Sequence, residues 1–177
     1  PLSDKHGRRP IMFVGIAITI IGSIFCWLAD SITWLIVGRF IQAFGGAVGL
    51  VLARAIVRDV YGAEEAARVI ATLVMVMVVV PMLSPALGGE LLDRFGWESA
   101  FVVVAIASVI IFVFLIPGLP ETLNEPVPFE GIGSMLKTFL SLFESRAFCG
   151  YAFCVTFVSV VFFSFISAAP EIMVSVL

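Results

Sequence analysis

Five long apolar runs, each near the length needed to cross a lipid bilayer, constrain this chain more than any other feature. A hydrocarbon core about 30 Å thick needs roughly 20 helical residues at about 1.5 Å each. Residues 11–29, 32–56, 69–86, 100–119 and 147–169 supply such runs. In lipid the backbone must satisfy its own polar groups, so helices or closed barrels are the choices, and barrel strands alternate in segments of about ten residues. Nothing here alternates in that way, and the spacing predicts an all-α polytopic membrane protein. The composition excludes a water-soluble core: 61% of residues are hydrophobic and 13% charged, against about 45–50% and about 25% in soluble domains.

Between the runs lie an Asp30-Ser31 turn, a charged loop from Arg58 to Arg68, a polar loop from Glu90 to Ser99, and a longer segment over 120–146. Folding the runs as a zigzag places Lys5, Arg8, Arg9, Arg54, Arg58, Arg68, Lys137 and Arg146 on one side and leaves Arg94 in the opposite loops. By the positive-inside rule the basic side is cytoplasmic. The expected orientation therefore has the amino-terminal end in the cytoplasm and the carboxy-terminal end outside, in the periplasm or beyond the cell, across a bacterial inner membrane. Neither end reads as a natural terminus, since the chain lacks an initiator Met and a leader and stops just past an apolar run. Further helices of the same full-length chain are expected as partners.

The expected organisation is residues 1–119 as four spans of one bundle, 120–146 as a connector, and 147–177 as the first span of a second bundle. Pro120, Pro126, Pro128, Gly131 and Gly133 mark the connector's irregular first half. Its second half repeats Met135, Leu136, Phe139, Leu140 and Phe143 at helical spacing, with Ser134, Lys137, Ser141 and Glu144 opposite. That pattern predicts a short amphipathic helix along the membrane surface, or an ordinary loop helix.

Arg39 lies inside the second run, where a charge costs on the order of 3 kcal/mol by insertion scales. At 100° per residue Arg39, Gln42, Gly46, Gly49 and Ala53 share one stripe, which predicts a cavity or a close neighbour on that face. Snorkelling to the outer interface is the alternative for Arg39. Gly45 and Gly49 form a small-xxx-small pair suited to a close helix neighbour. In the third run Pro81 and Pro85 each remove a helical hydrogen bond, and Gly88 and Gly89 follow; the expectation is a bent helix at a moving interface.

The amino-terminal segment sets Asp4 beside Lys5, Arg8 and Arg9 with Gly7 between them. A solvated basic loop explains the bases; Asp4 with Gly7 suggests a turn in which Arg8 meets an acid, and Asp59 is the nearest further partner by topology. His6 belongs to the same solvated loop. Cys26, Cys149 and Cys154 sit in apolar runs without a two-residue spacing, so they read as packing residues rather than metal or redox groups. The chain has one histidine, no phosphate-cradling glycine loop, no HExxH and no GxSxG, and no Asp or Glu lies between the ends of the runs. These absences argue against an enzyme, a metal site and a cofactor. The net charge of −3 gives no nucleic-acid footprint.

Residues Pro1 to Arg9 resemble the cytoplasmic signature G-x-L-S/A-D-R/K-x-G-R-R/K of the major facilitator superfamily, without its first glycine. Arg39-Phe40-Ile41-Gln42-Ala43 is similar to its R-x-x-Q-G pattern, with Ala43 for glycine. Residues 51 to 59, Val-Leu-Ala-Arg-Ala-Ile-Val-Arg-Asp, resemble the Bcr/CflA-type drug resistance transporters. Ser84-Pro85-Ala86-Leu87-Gly88-Gly89 resembles the antiporter ending G-P-x-x-G-G, departing at its first position, and Pro120-Glu121-Thr122-Leu123 resembles the usual end of the sixth helix. The resemblance implies helices three to seven of a twelve-helix fold. It implies a proton-coupled exporter of drugs or other amphipathic small molecules, with protons and substrate as partners beside the bilayer, and the proton gradient in place of a cofactor. It further implies a cavity containing Arg39 and Gln42, and a cytoplasmic latch of Asp4, Arg8, Arg9 and Asp59. Pro81, Pro85, Gly88 and Gly89 would form the helix-bend motif. A major facilitator with another cargo, such as a sugar or an organic anion, and a membrane scaffold or sensor without transport are the other readings.

Overall fold

The computed structural model describes residues 2–123 and 132–176. The described residues form helices and turns, in the order α1 (Leu2–His6), α2 (Arg8–Trp27), α3 (Ile32–Phe95), α4 (Ser99–Gly118), α5 (Ile132–Leu142) and α6 (Arg146–Val176). Among the described residues five stretches are long and apolar enough to cross a membrane: Arg8–Trp27, Ile32–Gly62, Glu64–Phe95, Ser99–Gly118 and Arg146–Phe165.

The helices run further than the apolar runs that predict them. The charged loop expected from Arg58 to Arg68 is helical on both sides of one residue, Gly62, with φ 70° and ψ 179°. Only glycine enters that region without steric cost, so this residue divides α3 into limbs Ile32–Gly62 and Glu64–Phe95. Arg58, Glu64 and Glu65 favour helix well enough to carry the limbs beyond the hydrocarbon-length core. Likewise, the loop expected over Glu90 to Ser99 shrinks to Gly96, Trp97 and Glu98. The Asp30-Ser31 turn is present, and the Ser31 hydroxyl accepts the Trp34 N–H at 3.4 Å as the cap of α3.

The bend expected at Pro81 and Pro85 is not seen as a dihedral break: between Ile32 and Phe95 the one non-helical residue is Gly62. Each proline still lacks an N–H, so the carbonyls of Met77 and Pro81 lose their usual donors while the flanking turns hold the helix. A Cβ built on Gly88 or Gly89 meets nothing within 4 Å.

Two compact units divide the chain, Pro1–Phe129 and Glu130–Leu177. In the first, α2 packs antiparallel to the first limb of α3. Gly15 meets Val48, Gly22 meets Gln42, and Gly38 meets Cys26. A Cβ on Gly22 would lie 2.7 Å from Gln42 Cα, and one on Gly45 would lie 2.6 Å from the Gly15 carbonyl oxygen. The close-packing seam is therefore Gly38, Gln42, Gly45 and Leu52, all buried, against Gly15, Gly22 and Cys26. This corrects the small-xxx-small pair: Gly45 is in the seam, whereas Gly49 has open space at its Cβ. In lipid, where apolar burial gives no drive, such close backbone approach with its dispersion contacts holds helices together. Helix α4 lies antiparallel to α2 on another face, with Phe112 edge-on to Phe13 at 5.0 Å.

The second unit holds α5 and α6. Phe143, just past α5, contacts Phe139 at 5.5 Å and Phe148 at 6.0 Å, and the Ser145 hydroxyl accepts the Phe148 N–H at 3.3 Å to cap α6. Leu136, Phe139, Leu140 and Phe143 form an exposed apolar row. The side chains of Ser134, Met135 and Lys137, and the connector positions Pro126, Pro128 and Gly131, lie outside the described residues.

Candidate functional site

Two polar constructions interrupt the apolar surface of the first unit. The first lies between spans, with Ser23 and Gln42 buried in it. Thr19 and Ser23 follow one another by one turn of α2, and their hydroxyls donate to the carbonyls four residues earlier, Thr19 to Gly15 at 3.0 Å and Ser23 to Thr19 at 2.8 Å. Back-bonding of this kind lets a hydroxyl sit in an apolar helix and keeps its oxygen free to accept from elsewhere. Ser23 Oγ accepts the Gln42 amide Nε2–H at 2.8 Å across the helix seam. Gln42 Oε1 in turn accepts from Arg39 Nη1 at 3.0 Å.

The amide orientation follows from chemistry, because a guanidinium can only donate. Gln42 must face Arg39 with its oxygen and Ser23 with its nitrogen, so Arg39, Gln42, Ser23 and the Thr19 carbonyl form one chain with every hydrogen pointing the same way. The guanidinium carbon of Arg39 also stands 5.0 Å from the centre of the Phe101 ring on α4. A cation over an aromatic face at an exposed site is worth about 0.5–1 kcal/mol. Three helices thus converge on Arg39.

The stripe read from the sequence is divided by this packing. Gln42 is buried in the α2–α3 seam, while Arg39 and Gly46 stay exposed and Gly46 has open space at its Cβ. Among the described residues no carboxylate lies within ion-pair reach of Arg39. Its remaining donors are free to bind an electron-rich group.

The second construction gathers at the opposite end of α2. After the short α1, Gly7 takes φ 95°, and α2 starts at Arg8. Arg8 pairs with Asp4, its Nε donates to Asp59 Oδ2 at 2.9 Å, and its Nη1 donates to Ser3 Oγ at 2.7 Å. The Arg8 side chain is only 13% exposed and that of Asp59 24%. Asp4, Arg8 and Asp59 are thus brought together, tying the amino-terminal segment to the far end of the first α3 limb.

Arg9 does not join them. Its Nη2 donates to the Ile116 carbonyl at 2.8 Å, and its guanidinium lies 5.8 Å from the Phe13 ring. Helical geometry explains the separation, because adjacent residues point about 100° apart.

Glu121, which sequence reasoning left in the connector, completes this end. Its Oε1 accepts the Arg8 N–H at 2.8 Å and its Oε2 the Arg9 N–H at 3.2 Å, so it caps the unpaired amino terminus of α2 from 112 residues or more away. It also accepts from the N–H groups of Thr122 and Leu123, each at 3.1 Å. A Cβ at position 7 would collide with Glu121 Oε2, so glycine there serves both the positive φ and this approach. Burial alone would push the Glu121 carboxyl up, but the four backbone donors outweigh it and hold it below the ordinary carboxylate range. The signals available in the sequence were an acid directly after the Pro120 breaker and a zigzag parity that puts it beside the start of α2.

Residues 1–176 match the family profile described as Major Facilitator Superfamily. The uncharacterized MFS-type transporter YdgK of Bacillus subtilis is 37% identical over 174 residues, which cover 96% of this chain and 43% of that protein. Multidrug resistance protein MdtL of Escherichia coli is 31% identical over 182 residues, 99% of this chain and 44% of the relative. A bicyclomycin resistance protein homolog of Haemophilus influenzae is 25% identical over 178 residues, again 99% and 44%. The chain therefore spans less than half the length of these relatives.

Proposed function

Because the chain belongs to the Major Facilitator Superfamily, we propose that the full-length protein is a proton-coupled antiporter that exports drugs or other amphipathic small molecules by alternating access. The observation that carries this reading is the chain from Arg39 through Gln42 to Ser23, a fixed cation inside a span whose position is set by two helices and whose outward donors are unspent. Holding a charge in hydrocarbon at a cost of several kcal/mol is expected where it meets cargo or coupling groups. The names of the Escherichia coli and Haemophilus influenzae relatives point the same way.

In this reading Arg39 contacts cargo or a carboxylate elsewhere in the bundle, and protonation of that carboxylate releases the arginine to the cargo. The Asp4–Arg8–Asp59 cluster is the latch that holds the basic end closed while the outer side is open. Pro81, Pro85, Gly88 and Gly89 shape the face on which the two halves rock. The basic end faces the cytoplasm of a bacterial cell, and the full chain resides in the inner membrane.

A second cargo class follows from the free donors of Arg39, which suit an organic anion. Accumulation of a lipophilic dye and of chloramphenicol in energised cells separates the two. Low accumulation with the wild-type full-length protein, raised both by a protonophore and by Arg39→Ala, is the expected result. A wild-type protein that lowers neither compound sinks the drug-export reading and moves the anion carrier ahead.

A further inference from the structure

At the end of α2 that carries the ion cluster, a groove of about 380 Å³ opens between α2 and α4, lined by Arg9, Pro10, Phe13, Phe112 and Ile116. We propose that this groove binds one anionic phospholipid, with its phosphate on the Arg9 guanidinium and an acyl chain along Phe13 and Phe112.

The argument starts from how the two adjacent arginines are used. Arg8 takes both available acids, Asp4 and Asp59. Arg9 has no carboxylate within ion-pair reach of its guanidinium among the described residues, and one of its five donors goes to the Ile116 carbonyl. Glu121, whose carboxylate caps this end of α2, spends its oxygens on backbone N–H groups, including that of Arg9 itself. The guanidinium therefore stands at the groove's mouth outside any ion pair among the described residues, with a planar face of donors available. Such a fork matches two phosphate oxygens.

Depth decides what kind of phosphate. Arg9 lies in the first turn of one membrane-length helix and Ile116 in the last turn of another. The mouth of the groove is thus at the level of headgroups, and its floor, the edge-to-face pair of Phe13 and Phe112, runs toward the hydrocarbon. A free inorganic phosphate would leave that floor unused. A phospholipid uses both parts, and the excess of basic residues at this end of the zigzag favours an anionic one. This assignment is independent of the cargo.

The test is native mass spectrometry of the purified full-length protein, titrated with phosphatidylglycerol and with phosphatidylcholine of the same acyl chains. One phosphatidylglycerol should bind in preference to phosphatidylcholine. Arg9→Gln should weaken it about fivefold, the scale of one basic residue at an anionic surface, while Arg94→Gln at the other end leaves it unchanged. Phe112→Ala should weaken both lipids alike. Equal preference in Arg9→Gln and wild type overturns the proposal, and so does displacement of the lipid by millimolar inorganic phosphate, which would mark a free-anion site. Phosphatidylglycerol carrying a photoreactive acyl chain keeps the question open to decision in the wild-type protein, where no variant has to fold. Labelling should fall on the peptides containing Phe13 or Phe112, and labelling confined to other spans refutes the site.

Discussion

A single carboxylate, that of Glu121, fixes the start of α2, and its titration gives the clearest residue-scale prediction. Burial opposes ionisation of its carboxyl, but the N–H groups of Arg8, Arg9, Thr122 and Leu123 outweigh it and hold the carboxyl below the ordinary carboxylate range in the folded protein. A depressed folded pKa contributes stability that is complete above the unfolded value and is lost as pH falls through the folded one. Thermal unfolding of the full-length protein in detergent, measured from pH 7 down to about pH 3, should therefore show a steeper loss on the acid side in wild type than in Glu121→Gln. Equal slopes would mean that the cap contributes nothing. The neighbouring Arg8–Asp59 pair predicts a coupling of about 1 kcal/mol in a double-mutant cycle of Arg8→Ala and Asp59→Asn, since both side chains are largely sheltered. Arg9→Ala should show no such coupling to Asp59, because its guanidinium points to α4.

Between helices, the glycines of α2 and α3 sort into two classes that the sequence presents as one. Gly22→Ala would press a methyl on Gln42, and Gly45→Ala on the Gly15 carbonyl and Thr19, so each should destabilise by about 1–3 kcal/mol through forced separation of the helices. Gly46→Ala and Gly49→Ala meet no atom of α2 or α4 and should leave the α2–α3 seam undisturbed, with a smaller loss than at Gly22 or Gly45. Denaturation of the four full-length variants in mild detergent checks the sorting; equal losses in all four would contradict the seam. Helical periodicity placed Gln42 and Gly46 on one stripe, but a stripe spans a wide arc, and only the packed neighbour determines which edge is covered. Ser23 and Phe101 escaped notice for the same reason: nothing in a local pattern says that a serine on α2 and a phenylalanine on α4 lie beside positions 42 and 39. The loop expected at Arg58 to Arg68 failed differently, since charge marks where a chain leaves lipid and not where a helix ends, and the stop came from Gly62 alone.

For the whole molecule, the sequence carried the helical class and the number of membrane-length segments, because bilayer thickness imposes one length scale on every span. Which residues meet across spans was legible where a zigzag puts them at the same end, as with Arg8 and Asp59, and illegible within the bilayer. The same parity yields an orientation that can be tested directly. Asp30 sits in the exposed turn between α2 and α3, and His6 is exposed beside the ion cluster at the other end of α2. The excess of Lys and Arg near the His6 end predicts a cytoplasmic position for it. In a cysteine-free full-length background, Asp30→Cys in intact cells should react with a membrane-impermeant maleimide, whereas His6→Cys should react only after the inner membrane is opened. Reaction of His6→Cys in intact cells with protection of Asp30→Cys would invert the topology. An inverted topology would turn the ion cluster outward, removing it as a cytoplasmic latch while leaving the Arg39–Gln42–Ser23 chain at the same depth. The labelling pattern therefore separates the orientation of the transporter from the chemistry at its centre.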